Sequence, residues 1–412
     1  MVGEPFVLGV NYWPRRKAMT WWSAFDAGEV REEFSLIHEL GLRLVRIFLL
    51  WDDWQPAPDI VSPAALRHLG QVMDIAADLG LRLDVTFFTG HMSGPNWAPG
   101  WLLEPDKPLP PRVRQLVRGG RIVDCGYRNP YTDPTALAAA ELLLRTVVGR
   151  FRDHPAVGLW NLGNEPDLFA WPPDAATGRA WAHHMTQLIK EIDPVHPVTC
   201  GLHVDSLGRD NGLRVDDIFA EVDVAVMHGY PMYVDGLDPL DVDFVPFLCA
   251  MTTALCGKPT LMEEFGGCTN TPGEPSTVWE WTAYGEPRTQ FMASEEALAD
   301  YITHVLPRLV QVGATGALIW CFADYAPELW DQPPCAQSVH ERFFGLVRPD
   351  GTVKPHARAM QQFAATRPTV QPATRTVTLD LSPDDYYRDA YTHAARLYKA
   401  FRSGKGSVSS IQ

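Results

Sequence analysis

The amino-acid sequence predicts an α/β protein folded as a (β/α)8 barrel, the TIM barrel. Short apolar runs alternate with stretches of helical period throughout residues 6–365. This alternation is typical of repeated βα units with parallel strands. The three longest irregular segments, 89–132, 266–293 and 321–352, each follow a predicted strand. Loops that follow strands share one face of such a barrel, so we expect long loops on the C-terminal face, where active sites lie.

Eight short, mostly apolar runs are predicted as the barrel strands. Several of them end at a polar or aromatic side chain, as expected where a barrel strand reaches the mouth. The predicted strands are Phe6–Asn11, Leu44–Leu50, Leu81–Phe88, Val157–Leu162, Pro197–Leu202, Val222–His228, Pro259–Met262 and Thr315–Trp320.

Capping residues place the starts of the first three helices. Asp26 has Glu29 three residues on, which is the spacing of a capping box. Ser62 and Asp133 each precede a proline, and this order suits an N-cap followed by the first helical position. Further helices are predicted over residues 177–192, 240–255, 295–312 and 354–365.

The chain is predicted to form one catalytic barrel with a short C-terminal appendage. We assign residues 1–367 to the barrel and 368–402 to an appendage of one strand and one amphipathic helix. About 45 residues are too few for a core of their own, so the appendage should pack on the barrel. Residues 403–412 are expected to be a disordered tail.

Composition and charge exclude several classes of partner. With 46% hydrophobic and 21% charged residues, the balance is that of a globular protein. The formal charge of −15 opposes binding to nucleic acids and to anionic membranes. The N-terminus lacks the pattern of a secretion signal, and no apolar run reaches about 18 residues, which favours a cytoplasmic location.

No cofactor or metal is expected from the motifs. The seven cysteines are scattered without a C-x-x-C pair, so we interpret them as reduced thiols. The sequence has no H-E-x-x-H zinc motif, no glycine-rich nucleotide loop and no G-x-S-x-G nucleophile elbow.

Two acidic motifs stand at the ends of predicted strands. Asn164, Glu165 and Pro166 follow strand four, and Glu263 and Glu264 follow strand seven. Neighbouring side chains on a strand point to opposite faces, so only one acid of the second pair can face the barrel axis. A helix N-cap and a surface acid pair are the structural alternatives. Two carboxyl groups at one barrel mouth are what the hydrolysis of a glycosidic bond requires.

Together these motifs resemble the retaining glycoside hydrolases of clan A. The sequences Gly9-Val10-Asn11-Tyr12, Val45-Arg46-Ile47-Phe48 and Gly90-His91-Met92-Ser93 are most similar to glycoside hydrolase family 5, in particular to its intracellular β-mannosidase group. The resemblance implies that Glu165 is the acid/base and that Asn164 binds the sugar 2-hydroxyl. It implies Glu264 as the nucleophile, because the family's nucleophile directly precedes an aromatic residue, here Phe265. Glu263 remains the alternative.

The same resemblance implies a set of residues around the two carboxyl groups. Arg46 would keep the nucleophile ionised, since an opposite charge nearby lowers the pKa of a carboxylic acid. Tyr230 would donate its phenol to the nucleophile, and Trp320 would form the platform under the sugar that is cleaved. His91 and His228 are further candidates for substrate binding, and the candidate walls of the sugar subsites include Asn11, Trp54 and Trp101.

The resemblance implies a retaining β-glycosidase that hydrolyses β-linked mannosides, or related β-hexosides, of short oligosaccharides by double displacement. A β-glucosidase, a β-galactosidase and a transglycosylase on the same scaffold are alternatives. A catalytically silent sugar-binding barrel is the non-enzyme alternative, but it would be expected to lose one of the two carboxylates. The oligomeric state and the choice between exo and endo cleavage stay open.

Overall fold

The computed structural model describes residues 1–109, 114–118, 121–283 and 285–404, and it confirms the predicted barrel. Its strands are β1 (Val7–Asn11), β2 (Leu44–Leu50), β3 (Arg82–Thr89), β4 (Val157–Asn164), β5 (Val198–Gly201), β6 (Ala225–His228), β7 (Thr260–Gly266) and β8 (Gly316–Trp320). They form one parallel sheet in the order β5-β4-β3-β2-β1-β8-β7-β6. The edge strands meet through the Val224 N–H, which donates to Val198 O over 3.1 Å, and the His228 N–H, which donates to Leu202 O over 2.9 Å. These bonds close the sheet into a barrel.

Within the described residues, each strand is followed by one main helix, eight in all. They are α1 (Ala27–Glu39), α2 (Pro63–Asp78), α3 (Pro134–Phe151), α4 (Ala175–Ile192), α5 (Val215–Glu221), α6 (Phe244–Cys256), α7 (Glu295–Gln311) and α8 (Pro355–Ala365). The predicted caps are confirmed, because Asp26, Ser62 and Asp133 each accept backbone N–H groups of the first turn. Helix α5 was missed from the sequence because it has only seven residues, about two turns of periodic signal.

Most of the aromatic side chains belong to the core rather than to the surface. The indoles of Trp13, Trp21, Trp51, Trp54 and Trp160 are all fully buried. Every residue of β2 is buried as well, as expected for a parallel strand covered on both faces. The high tryptophan content therefore reflects packing more than sugar binding.

The long loops contain structure of their own. After β7 an antiparallel hairpin is formed by Thr277–Ala283 and Glu286–Met292, where the sequence had indicated only an irregular segment. Gly285 at the turn has φ +79°, a conformation that glycine adopts without steric cost. The alternation of exposed and half-buried positions along Thr277–Ala283 is the strand signal that was overlooked.

The C-terminal segment packs on the barrel but forms no strand within its described residues. The predicted strand is wrong, because no further barrel edge is open for pairing. A single bridge joins Pro5 to Thr369 instead. Two short helices follow, α9 (Pro383–Tyr387) and α10 (Ala390–Arg402). We retain 1–367 and 368–402 as a proposed division of the chain. Of the predicted tail, residues 405–412 lie outside the described residues.

Within the described ranges, no helix combines the length and the apolar character that a membrane crossing requires.

Replacing Tyr387 with Phe should destabilise the docked C-terminal segment. The Tyr387 hydroxyl accepts the Val215 N–H over 2.9 Å and donates to Ser206 O over 2.8 Å. Because two buried backbone groups lose a partner, we expect the free energy of unfolding in urea to fall by about 1–3 kcal/mol. Tyr391→Phe is the matched control: Tyr391 is 71% exposed and its substitution should change stability by less than about 0.5 kcal/mol. Equal effects of the two substitutions would contradict this docking contact.

Candidate active site

The carboxyl ends of the barrel strands bring the two predicted glutamates together. A carboxylate oxygen of Glu165, a ring nitrogen of His228 and a carboxylate oxygen of Glu264 all lie within 4.8 Å of one another. Retaining glycosidases hold their two carboxyl groups about 5–5.5 Å apart, whereas inverting enzymes need about 6.5–9.5 Å to admit a water. The pair therefore has the spacing of a retaining site.

Glu165 is fixed in a strained backbone conformation. Its φ of 43° and ψ of 56° are left-handed, which costs a residue other than glycine about 1–3 kcal/mol. Its N–H donates to Gly201 O over 2.9 Å, and Pro166 starts a short helix directly after it. Such strain persists where the surroundings impose it, which is characteristic of functional positions.

Glu264 is held by two donors. The Arg46 guanidinium donates from Nη1 to Oε1 over 2.6 Å, and the Tyr230 hydroxyl donates to Oε2 over 2.9 Å. Both bonds favour the carboxylate over the carboxylic acid. Gly266 follows with φ +148°, and a Cβ there would lie 2.7 Å from the Trp320 carbonyl oxygen. Glycine thus allows β7 and β8 to approach each other beside the nucleophile candidate.

Arg46 lies beneath the mouth and contacts no solvent. It is 0% exposed, and its Nη2 lies 3.4 Å from Glu263 Oε2 and donates to Asn164 Oδ1 over 3.0 Å. A Cβ on Gly201 would lie 2.7 Å from the same Nη2, so a glycine in β5 makes room for the guanidinium. Asn11 Oδ1 accepts from Arg46 Nη1 over 3.2 Å.

His228 connects three carboxyl groups. Its Nδ1 lies 3.2 Å from Glu165 Oε1 and 3.4 Å from Glu264 Oε1, and its Nε2 lies 2.8 Å from Glu263 Oε2. The imidazole is 0% exposed. It was predicted to bind substrate, and this role stays a prediction, since its two ring nitrogens face carboxyl groups.

The pKa values of the two glutamates shift in opposite directions. Burial raises the pKa of Glu264, although the charges of His228 and Arg46 oppose this. Burial also raises the pKa of Glu165, but His203, His228 and His91 outweigh it and lower that pKa below its usual range. These directions are opposite to the order that an acidic Glu165 and an ionised Glu264 would imply.

The histidines near Glu165 differ in charge. Burial lowers the pKa of His228, but Glu264 and the hydrogen bonds to Glu165 and Glu263 together raise it above its ordinary value. For His91, burial lowers the pKa to about 4, so this ring is neutral near pH 7. His91 Nδ1 pairs with Asn96 Oδ1 over 2.9 Å, and its Nε2 lies 3.9 Å from Glu165 Oε2.

A buried ion pair behind Glu165 was not found from the sequence. His203 Nε2 lies 2.9 Å from an oxygen of Asp167, which also accepts from Asn211 Nδ2 over 2.9 Å. Burial lowers the pKa of His203, but Asp167 and Glu165 outweigh this and raise it to about 10. Asp167 is two residues from Glu165, yet its partner comes from the loop after β5, and no local motif indicates that pairing.

Aromatic side chains from three loops form a wall beside the site. Tyr230 packs on Tyr233 with ring centroids 5.6 Å apart, and the Tyr233 hydroxyl lies 3.1 Å from His340 Nε2. His340 in turn packs against Trp281 of the hairpin, at 5.5 Å. Trp320, at the end of β8, is 5% exposed. The sequence predicted Tyr230 and Trp320 but missed Tyr233, His340 and Trp281.

The structure places the three predicted subsite residues in different surroundings. Trp54 is 0% exposed and packs edge-on against Trp22, so its prediction as a subsite wall is wrong. Asn11 is also 0% exposed, and it supports Arg46 rather than contacting a sugar. Trp101 packs edge-on against Trp51 and donates its indole N–H to Gln55 O over 2.8 Å, and its subsite role stays a prediction.

A barrel with two carboxyl groups at its mouth is the arrangement that glycoside hydrolases use. The chain belongs to the glycosyl hydrolases family 2, TIM barrel domain family, whose sequence model matches residues 115–366, more than half of the chain. The predicted class, a glycoside hydrolase, is therefore confirmed, whereas the family that this model describes is not the predicted family 5.

Individual relatives carry mannosidase names. Mannan endo-1,4-β-mannosidase F of Aspergillus clavatus is 30% identical over 151 residues, which are 33% of this chain and 34% of that protein. The solved structure of an exo-β-1,4-mannosidase from Opitutaceae bacterium strain TAV5 is 25% identical with a TM-score of 0.72, covering 88% of this chain and 59% of that one. The chain thus spans about a third of the first relative and under two thirds of the second.

A third comparison bears on the fold alone. A GH5_18 protein from Streptomyces cattleya, crystallised with Manβ1-4GlcNAc, is 21% identical with a TM-score of 0.76, covering 96% of this chain and 90% of that one. At this level of identity, the likeness shows a shared barrel.

Replacing Asp167 with Asn should destabilise the protein in a pH-dependent way. His203 has a raised pKa of about 10 in the folded protein, against about 6.5 when unfolded. Its contribution to stability is therefore full below about pH 6.5 and is lost as the pH rises to about 10. We expect urea unfolding to show a deficit for Asp167→Asn that is largest at pH 6 and shrinks towards pH 10. A deficit of constant size across this range would contradict the charged His203.

Proposed function

We propose that the protein is a retaining β-glycosidase that, like the family 5 enzymes its sequence resembles, hydrolyses β-mannosides of short oligosaccharides. The observation that carries the proposal is the position of Glu165 and Glu264 within 4.8 Å of each other, bridged by His228. The Arg46 and Tyr230 hydrogen bonds to Glu264 support its assignment as the nucleophile.

The reaction would proceed in two displacements. In the first, a Glu264 oxygen attacks the anomeric carbon while Glu165 gives a proton to the leaving oxygen. A covalent glycosyl ester forms, and the negative charge on Glu264 is consumed. In the second, Glu165 removes a proton from water, which attacks the same carbon and releases Glu264. No cofactor takes part in this scheme.

The names of the relatives support a mannoside as substrate. The family 2 match covers residues 115–366 and its name specifies no sugar. The Aspergillus relative and the Opitutaceae structure are both called mannosidases. These two names favour a β-mannosidic bond over the β-glucosidase and β-galactosidase alternatives.

The burial of the site supports a short substrate. The side chain of Glu165 is 14% exposed and that of Glu264 5%. The aromatic wall of Tyr233, His340 and Trp281 adds loops from β6, β7 and β8 around the mouth. Such an enclosure suits a terminal sugar better than the middle of a polymer, so we favour exo cleavage.

Transglycosylation and silent sugar binding are the remaining alternatives. Both carboxyl groups are present with the donors that catalysis needs, which argues against a silent barrel. Hydrolysis and transglycosylation differ only in the acceptor that attacks the ester. The cytoplasmic location stays a prediction.

The purified chain should be tested with 4-nitrophenyl β-mannoside, β-glucoside, β-galactoside, β-xyloside and β-fucoside. We expect release of nitrophenol from the mannoside at the highest kcat/KM. A higher kcat/KM on another glycoside would identify that sugar, rather than mannose, as the substrate. Inactivity on all five aryl glycosides and on β-mannosyl disaccharides would argue for a sugar-binding barrel.

Replacing Glu264 with Ala should lower kcat by at least about 1,000-fold, because the attacking oxygen is removed. Added azide should restore turnover by occupying the vacated space, and the product should be the α-glycosyl azide. The product can be identified by NMR. Activity within tenfold of the unmodified protein would reject Glu264 as the nucleophile.

Replacing Glu165 with Ala should separate substrates by their leaving groups. We expect kcat/KM to fall by about 100-fold or more for oligosaccharides, which need a proton on the leaving oxygen. The loss should be much smaller for 2,4-dinitrophenyl glycosides, whose leaving group needs none. Equal losses on both substrates would count against Glu165 as the acid.

A further inference from the structure

Glu263 remains without a role in the proposed reaction, although it is fully buried beside the site. One of its oxygens, Oε2, lies 2.8 Å from His228 Nε2, and the other accepts from Asn161 Nδ2 over 3.1 Å. The opposite side of the same imidazole lies 3.2 Å from Glu165 Oε1. Glu263, His228 and Glu165 therefore form a continuous chain of hydrogen-bonding distances, which we call the relay.

The surroundings of His228 favour a positively charged ring. The groups that face or neighbour it are Arg46 from β2 at 3.4 Å, Glu165 after β4, Glu263 and Glu264 from β7, and His203, its bridge partner after β5. Arg46 is already matched to Glu264 at 2.6 Å. Carboxyl groups thus lie on both sides of the imidazole, and an N–H directed at each satisfies them.

Glu263 also has a defined charge. Burial raises its pKa, but Arg46 and His228 outweigh this and lower it below its ordinary value. Burial and the charge of Glu263 raise the pKa of neighbouring Asp84 well above its usual range. These opposite directions favour the negative charge on Glu263 rather than on Asp84.

We propose that Glu263 is a positioning residue that holds His228 by its Nε2–H, so that His228 Nδ1 stores the proton that Glu165 delivers to the leaving group. This inference rests on the proposed function. It gives the first glutamate of the Glu263-Glu264 pair a role distinct from that of the nucleophile.

The proton balance closes over one turnover. In the first displacement the Nδ1–H bond of His228 breaks and an O–H bond forms on Glu165, which passes the proton to the leaving oxygen as the glycosidic bond breaks. His228 is then neutral and still donates its Nε2–H to Glu263. In the second displacement Glu165 takes a proton from the attacking water, and this proton returns to Nδ1.

The test is Glu263→Gln, which keeps the shape of the side chain and removes the charge that stabilises the imidazolium. For phenyl β-mannoside, a poor leaving group, we expect kcat/KM to fall by about 100-fold. For the 2,4-dinitrophenyl analogue it should fall by less than about 5-fold. Asp84→Asn is the matched control, because Asp84 belongs to the same buried cluster but contacts Glu263 rather than His228. Its loss should be the same factor on both substrates.

The other outcomes overturn the relay. Equal losses of Glu263→Gln on both substrates indicate a structural role, and equal losses together with azide rescue of Glu263→Ala indicate that Glu263 is the nucleophile. The relay is also contradicted if the ratio of kcat/KM between the two substrates is the same in Glu263→Gln as in the unmodified protein. Failure of the proposed function is seen separately, as inactivity of the unmodified protein, and thermal unfolding of each variant shows that it is folded.

Discussion

The buried guanidinium of Arg46 is the interaction on which the rest of the site depends. Removing carboxylates from water costs several kcal/mol per ion unless a cation and further hydrogen bonds compensate. A guanidinium has five N–H donors in a rigid fork and stays charged at any pH of interest, so it can serve several acceptors at once. Here it donates to or pairs with side chains of four other strands: Asn11, Thr86, Asn164, Glu263 and Glu264. These contacts link the strands to one another. The same contacts place the positive charge of Arg46 beside the carboxyl groups of the site.

The backbone around this network is shaped to admit it. Gly201 lacks the side chain that would meet Arg46 Nη2, and its carbonyl accepts the N–H of Glu165. One residue of β5 therefore clears space for the cation and also anchors the strained backbone of the acid/base candidate. A larger residue there would crowd both Arg46 Nη2 and Glu263 Oε2, which lies 3.1 Å from the same point. The left-handed turn at Glu165 is stable because it is imposed from β5 as well as from Pro166.

The sequence was sufficient for the barrel and for the two catalytic candidates, because apolar period and strand-end chemistry are local signals. It was insufficient to predict how far each side chain lies below the mouth of the barrel. Asn11 and Arg46 are direct neighbours in register, as are Arg46 and Asp84, so all three lie in one layer below the mouth. Register is set by the closure of the whole sheet, and for this reason Asn11 was mistaken for a sugar contact. Trp54 was misplaced for a related reason, since a tryptophan near a strand end can point outward or into the core. The Asp167–His203 pair and the hairpin wall depend on contacts between distant loops.

The reversed pKa order of the two glutamates is compatible with a retaining mechanism. The quantity that matters is the number of protons shared by the whole site, not the residue that each proton occupies. Glu165, Glu264 and His228 lie so close together that they titrate as a unit, and the resulting pKa values belong to the group. The reaction requires one transferable proton in this unit and one carboxylate against the anomeric carbon. A charged His228 beside two carboxylates has the same proton number as a neutral His228 beside one carboxylic acid. The two arrangements differ by a shift along the 3.2 Å between His228 Nδ1 and Glu165 Oε1. When a sugar brings its leaving oxygen to Glu165, the carboxylic acid gains an acceptor that the imidazolium cannot reach, and the acid form is favoured where it is needed.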